Sequence, residues 1–114
     1  MRARPDDVVG RLADACRGRD IDGIRAVLNA DAVAVCDGWT PIFGAAHTAR
    51  LISLLLGVEI GTELTVESVN GAPGLALWCA GRALAVAAVQ LRGSRVAVVW
   101  IVVDPAKLGG WHRR

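Results

Sequence analysis

Residues 70–108, NGAPGLALWCAGRALAVAAVQLRGSRVAVVWIVVDPAKL, constrain the fold more than any other stretch of the chain. Segments 75–80, 83–91 and 95–104 are apolar runs rich in Val, Leu and Ala, separated by Gly81-Arg82 and Gly93-Ser94. Turn residues at that spacing divide the region into strands joined as hairpins. Asn70-Gly71 is a strong hairpin signal, here extended by Ala72-Pro73-Gly74. Asp104-Pro105 stops the last strand, because proline has no N–H to give to a ladder. Just upstream, 62–70 alternates. Leu64 and Val66 share one face while Glu63, Thr65 and Glu67 share the other, which predicts a strand with one wet side. The run from Val96 to Val103 has no polar side chain over eight residues, the pattern of a central strand covered on both faces.

The first half of the chain reads as the cover for this sheet. Pro5-Asp6-Asp7 opens a helix over about 5–18, with Val8, Val9, Leu12, Ala13 and Cys16 on one face and Asp7, Arg11, Asp14 and Arg17 opposite. Asp20 caps a second helix over about 20–29, carrying Ile21, Ile24, Val27 and Leu28. Residues 31–37 (DAVAVCD) form a short strand, and Gly38-Trp39-Thr40-Pro41 a loop. A third helix over about 44–56 is apolar nearly all round, with His47, Arg50 and Ser53 as its polar stripe. The order α, α, β, α followed by a four-strand meander predicts an α+β domain. An antiparallel sheet curved around three helices makes a cone whose open end is a natural pocket.

A chain of 114 residues fits one domain over 1–114. Its hydrophobic fraction, 54%, exceeds what one small core readily hides. An apolar cavity or a buried interface between copies, formed through the sheet, accounts for the excess. The net charge is +2, and twelve of the thirteen basic residues are Arg, scattered along the chain apart from small clusters at the two ends. A nucleic-acid binder needs a concentrated basic face, so direct nucleic-acid binding is not expected. Cys16, Cys36 and Cys79 are odd in number and lack C-x-x-C spacing, which indicates free thiols in a reducing cytoplasm. The start, MRARPDDVV, has no apolar signal segment. No run approaches the ~20 apolar residues that span a bilayer, and no membrane partner is expected.

The segments VNGAPGLAL, G-R-x-L-A-V and VVWIVVDPAKL together resemble the SnoaL-like domain of the nuclear transport factor 2-like superfamily. The likeness is to the version at the C-terminus of actinobacterial extracytoplasmic-function sigma factors. The family's Asn-Gly-x-Pro-Gly turn is matched by Asn70, Gly71, Pro73 and Gly74. Its Asn-Pro-Asp-Lys-Leu exit is met by Asp104, Pro105, Lys107 and Leu108. Its Asp-Gly-Gly-Gly segment survives only as Asp37-Gly38. The resemblance implies the cone-shaped, cystatin-like fold, and this chain would be the sigma-factor tail standing alone. It also implies a choice among cyclases, isomerases, dehydratases and non-catalytic binding domains, and a transcription-machinery protein as a partner. Fold does not make that choice.

Asp37, at a strand end, and His47, on a covering helix, are the candidate general bases, since a carboxylate in an apolar pocket can abstract a proton. The competing reading places Asp37 in a turn and His47 in solvent. Glu63 and Glu67 are not a glycosidase pair, because four residues of strand separate them by about 13 Å. Trp39, Phe43, Trp78 and Trp100 are candidate walls for an apolar ligand, or else plain core. His47 and His112 are far apart and the cysteines unpartnered, so no metal site is expected. Neither a Gly-rich phosphate loop nor a G-x-S-x-G elbow occurs, and no cofactor is expected. The expected function is a non-catalytic binding or regulatory domain, taking an apolar small molecule or a protein partner. The alternative is a cyclase, isomerase or dehydratase using Asp37 or His47.

Overall fold

A computed structural model describes residues 4–111; His112 lies outside them. Three helices, α1 (Pro5–Arg17), α2 (Ile21–Ala26) and α3 (Ala45–Leu56), pack against one face of a six-stranded sheet. The strands are β1 (Leu28–Cys36), β2 (Ile42–Phe43), β3 (Thr62–Val69), β4 (Ala72–Cys79), β5 (Arg82–Arg92) and β6 (Arg95–Val102), in the spatial order β2-β1-β6-β5-β4-β3. β3 to β6 form the expected antiparallel meander. The sheet is nevertheless mixed, because β1 joins it parallel to β6, a pairing whose intervening chain accommodates α3 and the rest of the meander. Register shifts at Leu77/Trp78, Gln90/Leu91 and Leu28/Val33 put bends into these strands, and the sheet curves around the helices.

The expected inner face of α1 is the observed one: Val8, Val9, Leu12, Ala13 and Cys16 are all buried. Arg17 ties this helix to β3 through Nε and Nη2, which donate to the Leu64 carbonyl at 3.2 and 2.9 Å. Asp20 caps α2 by accepting from the Gly23 amide at 3.0 Å. The helix ends at Ala26, earlier than its apolar pattern suggests. Val27 has already turned toward β6, where its carbonyl accepts the Val96 amide at 2.8 Å, and Leu28 begins β1.

On α3 the exposed line is His47, Arg50 and Leu54, whereas Ser53 is buried. The reason is angular. At 3.6 residues per turn, positions 47, 50 and 54 stay on one line, while 47, 50 and 53 drift around the helix. Thr48, also buried, donates its hydroxyl to the Ala32 carbonyl at 3.2 Å and fixes α3 on β1.

Asn70-Gly71 alone makes the β3–β4 turn, with φ of 53° and 81°, the left-handed pair a two-residue hairpin requires. Pro73 and Gly74 are therefore strand residues of β4 rather than an extension of the turn. Gly74 is required by close approach. A Cβ there would sit 2.4 Å from the Ala87 carbonyl oxygen and 2.6 Å from Cγ2 of Val69.

The main core occupies the space between sheet and helices. Leu12, Ile24, Ile52 and Leu56 from the helices meet Leu64, Leu75, Val99 and Ile101 from the sheet, all buried. Each such side chain contributes roughly 1.5–3 kcal/mol by leaving water. A second, smaller cluster lies on the opposite, outer face of the sheet: Val69, Ala76, Trp78, Val86 and Leu108, with Trp111 packed on it.

Candidate functional site

The two faces of the sheet differ in what covers them. The inner face is sealed by the helices. The outer face is covered at the β3–β4 end by the chain's own exit segment. After β6, Asp104 Oδ1 accepts the Ala106 amide at 3.0 Å and its carbonyl accepts from Lys107 and Leu108. This turn sends Leu108 and Trp111 back over Trp78. Lys107 closes the arrangement by donating to Asp37 Oδ2 at 2.7 Å, and that carboxylate holds the ammonium above its ordinary pKa. The exit motif is thus a strap that lays Leu108 on the sheet.

The rest of the outer face is open. Its register rows run Phe43–Val33–Val98–Gln90 and Val35–Trp100–Ala88 across β2, β1, β6 and β5. Cross-strand partners share a face, so these side chains form one continuous surface, bordered at Ala88 and Val102 by the smaller outer cluster. It has no charged side chain. Trp100 is 41% exposed in mid-strand and Phe43 65% exposed, an arrangement that marks interaction sites on protein surfaces. β6 is accordingly covered along its inner side but on its outer side only at Val102, short of the two-sided cover its apolar run suggested.

None of the four aromatic candidates reaches the space between sheet and helices. Trp78, 4% exposed, lies under the strap and donates its indole N–H to Thr65 Oγ1 at 2.7 Å. Thr65 in turn donates to Glu67 at 2.6 Å, so the wet face of β3 also braces that tryptophan. Trp100 and Phe43 belong to the open outer surface. Trp39, 48% exposed, sits in the turn after β1 beside Gly38.

Asp37 and His47 are not brought together. Asp37 is in the turn that follows β1 and is ion-paired to Lys107 at the surface. His47 is on the exposed side of the first turn of α3. Neither lies in the apolar interior between sheet and helices. Burial pushes the Cys16 thiol up to about 12 and raises Cys36 as well, with the Asp37 charge adding to it. Both are inert structural thiols; Cys79 is exposed. Among the described residues no group of His, Cys, Asp and Glu is placed to hold a metal ion, and no helix is long and apolar enough to cross a membrane.

Sequence reasoning passed over one concave feature. A groove of about 410 Å³ opens beside α3, lined by Arg25, Leu28, Ala30, Gly44 to His47, and Arg95. Its signal was legible, since Gly44-Ala45-Ala46-His47 starts a helix with no acidic residue in the first turn.

No protein-family model matches the chain, and no curated protein sequence matches it. Solved structures do. It is similar to a steroid delta-isomerase from Pseudomonas aeruginosa, with a TM-score of 0.69 and 16% identity over 95% of this chain and 85% of that one. It is similar to the Mycobacterium tuberculosis extracytoplasmic function sigma factor SigJ, with a TM-score of 0.67 and 24% identity. That match covers 95% of this chain but 45% of SigJ. A nuclear transport factor 2-like protein of unknown function from Burkholderia xenovorans gives a TM-score of 0.66 at 16% identity, over 96% and 94% of the two chains. These neighbours include both an enzyme and a sigma factor, and at such identities the likeness is one of fold. The helices on the inner face, the curved six-stranded sheet and these neighbours together identify the fold as nuclear transport factor 2-like.

Proposed function

We propose that this chain is a non-catalytic binding and regulatory domain that works as a dimer, two copies meeting through the open half of the outer sheet face. The observation that carries this reading is the row Val35–Trp100–Ala88, a mid-strand tryptophan set among small apolar neighbours on a surface without charge. A second copy suits that surface. A two-fold contact places the same patch against itself, and an uncharged patch meets its own image without repulsion. The charges near its rim are already paired within the chain, Asp31 with Arg92 at 3.4 Å and Asp37 with Lys107. The buried core between sheet and helices favours a protein surface over an apolar small-molecule pocket. The surface positions of Asp37 and His47 weaken both as general bases for the enzyme reading.

Light scattering on Trp100→Glu tests the reading, with Leu54→Glu, an exposed leucine on α3, as the control. The wild type and Leu54→Glu should run at twice the chain mass and Trp100→Glu as a monomer. A wild type that is monomeric at high concentration would overturn the dimer and leave the face to a different protein, such as one of the transcription machinery.

A further inference from the structure

We propose that the groove beside α3 binds the anionic group, a phosphate or a carboxylate, of a small polar molecule. Three cationic or donor side chains converge there. Arg25 comes from α2, Arg95 from the start of β6 and His47 from α3, and no acidic side chain lines the groove. Arg25 and His47 have no hydrogen-bond or ion-pair partner among the described residues. Arg95 is held in place without being neutralised, since its Nη1 donates to the Ala26 carbonyl at 3.2 Å and lies 3.5 Å from the Leu28 carbonyl. An arginine fixed by backbone carbonyls keeps its remaining N–H groups for an oxyanion, which it can take in a fork. The neighbouring Asp31 is occupied by Arg92.

The other wall adds donors. The amides of Ala45, Ala46 and His47 lie in the first turn of a 12-residue helix, where no intrahelical acceptor exists, and Gly44 has no side chain to cap them. Ala45 and Ala46 are small enough to leave those amides accessible. Leu28 and Ala30 supply an apolar floor, so a ligand with an anionic head and a short apolar body fits the lining. A volume of about 410 Å³ is within the range of small-molecule sites, roughly 300–1,000 Å³. This site is separate from the outer sheet face, and the inference does not depend on the dimer.

The test is a titration of the 15N-labelled full chain with inorganic phosphate and, separately, with acetate, at constant ionic strength. Saturable amide shifts confined to residues 44–47, 25, 28, 30 and 95 are expected. Saturation with phosphate alone, or with acetate alone, supports the site and names its preferred head group. Arg25→Gln should weaken binding about tenfold. Ala46→Glu, which puts a carboxylate into the first turn, should abolish it with the rest of the spectrum unchanged. Linear shifts spread over all arginines, or binding retained by either variant, would overturn the proposal.

Discussion

The indole of Trp111 meets that of Trp78 with ring centroids 6.3 Å apart and planes tilted by 52°, and this contact divides the outer face of the sheet in two. On one side the chain covers its own strands, through Leu108 and Trp111 against Trp78, Val86 and Ala76. On the other, β6 and β1 leave Trp100 and Val35 open. Under the proposed dimer, a second copy would cover the open half as the strap covers the other.

Removing the strap's anchor should cost stability. Trp111→Ala loses a tilted aromatic pair and part of its burial, an expected loss of about 1–2 kcal/mol. Urea unfolding followed by circular dichroism measures it. A loss near zero would mean that the strap is not seated on Trp78 in solution.

The interior should behave as core and not as a vacant pocket. Leu75 is fully buried on the inner face, and Leu75→Ala should lower the unfolding free energy by about 2–5 kcal/mol. A loss well under 1 kcal/mol, with an apolar dye bound by the wild type, would show a cavity between sheet and helices.

Alkaline pH should weaken the fold through Cys16. Burial raises this thiol from 9.0 to about 12, outweighing the Arg17 charge that lowers it. The folded state therefore keeps a proton that the unfolded chain gives up. The stability contributed by the neutral thiol is complete below about pH 9 and declines toward about pH 12, by up to about 1.4 kcal/mol per pH unit. Urea midpoints at pH 8.5 and 10.5 should fall more for the wild type than for Cys16→Ala. At pH 8.5 a thiol reagent should label Cys79 and leave Cys16 and Cys36 protected in the folded chain; an equal pH slope in the two proteins would contradict this account.

Most of the fold was legible because it rests on local periodicity. The α1 pattern, the meander and the stop at Asp104 are all encoded within a few residues of where they act. What was not legible depended on long-range pairing. The parallel partnership of β1 with β6 and the early end of α2 are both set by a strand distant in sequence. The site readings suffered in the same way. Trp78 and Trp100 are both mid-strand tryptophans with apolar neighbours. Only the return of Leu108 and Trp111 over the sheet separates the covered one from the exposed one, and no spacing rule announces that fold-back. Asp37 looked like an acid at a strand end until Lys107, from the far end of the chain, was found against it.

The central claim, that two copies meet through the β1–β6–β5 face, is tested most directly by isotope-filtered NOE spectroscopy on a mixture of labelled and unlabelled chains. Intermolecular contacts should run from the Trp100 indole to the methyl groups of Val35, Val98 and Val102. Absence of such contacts in a sample whose mass is that of a dimer, or a sample that stays monomeric, would contradict it.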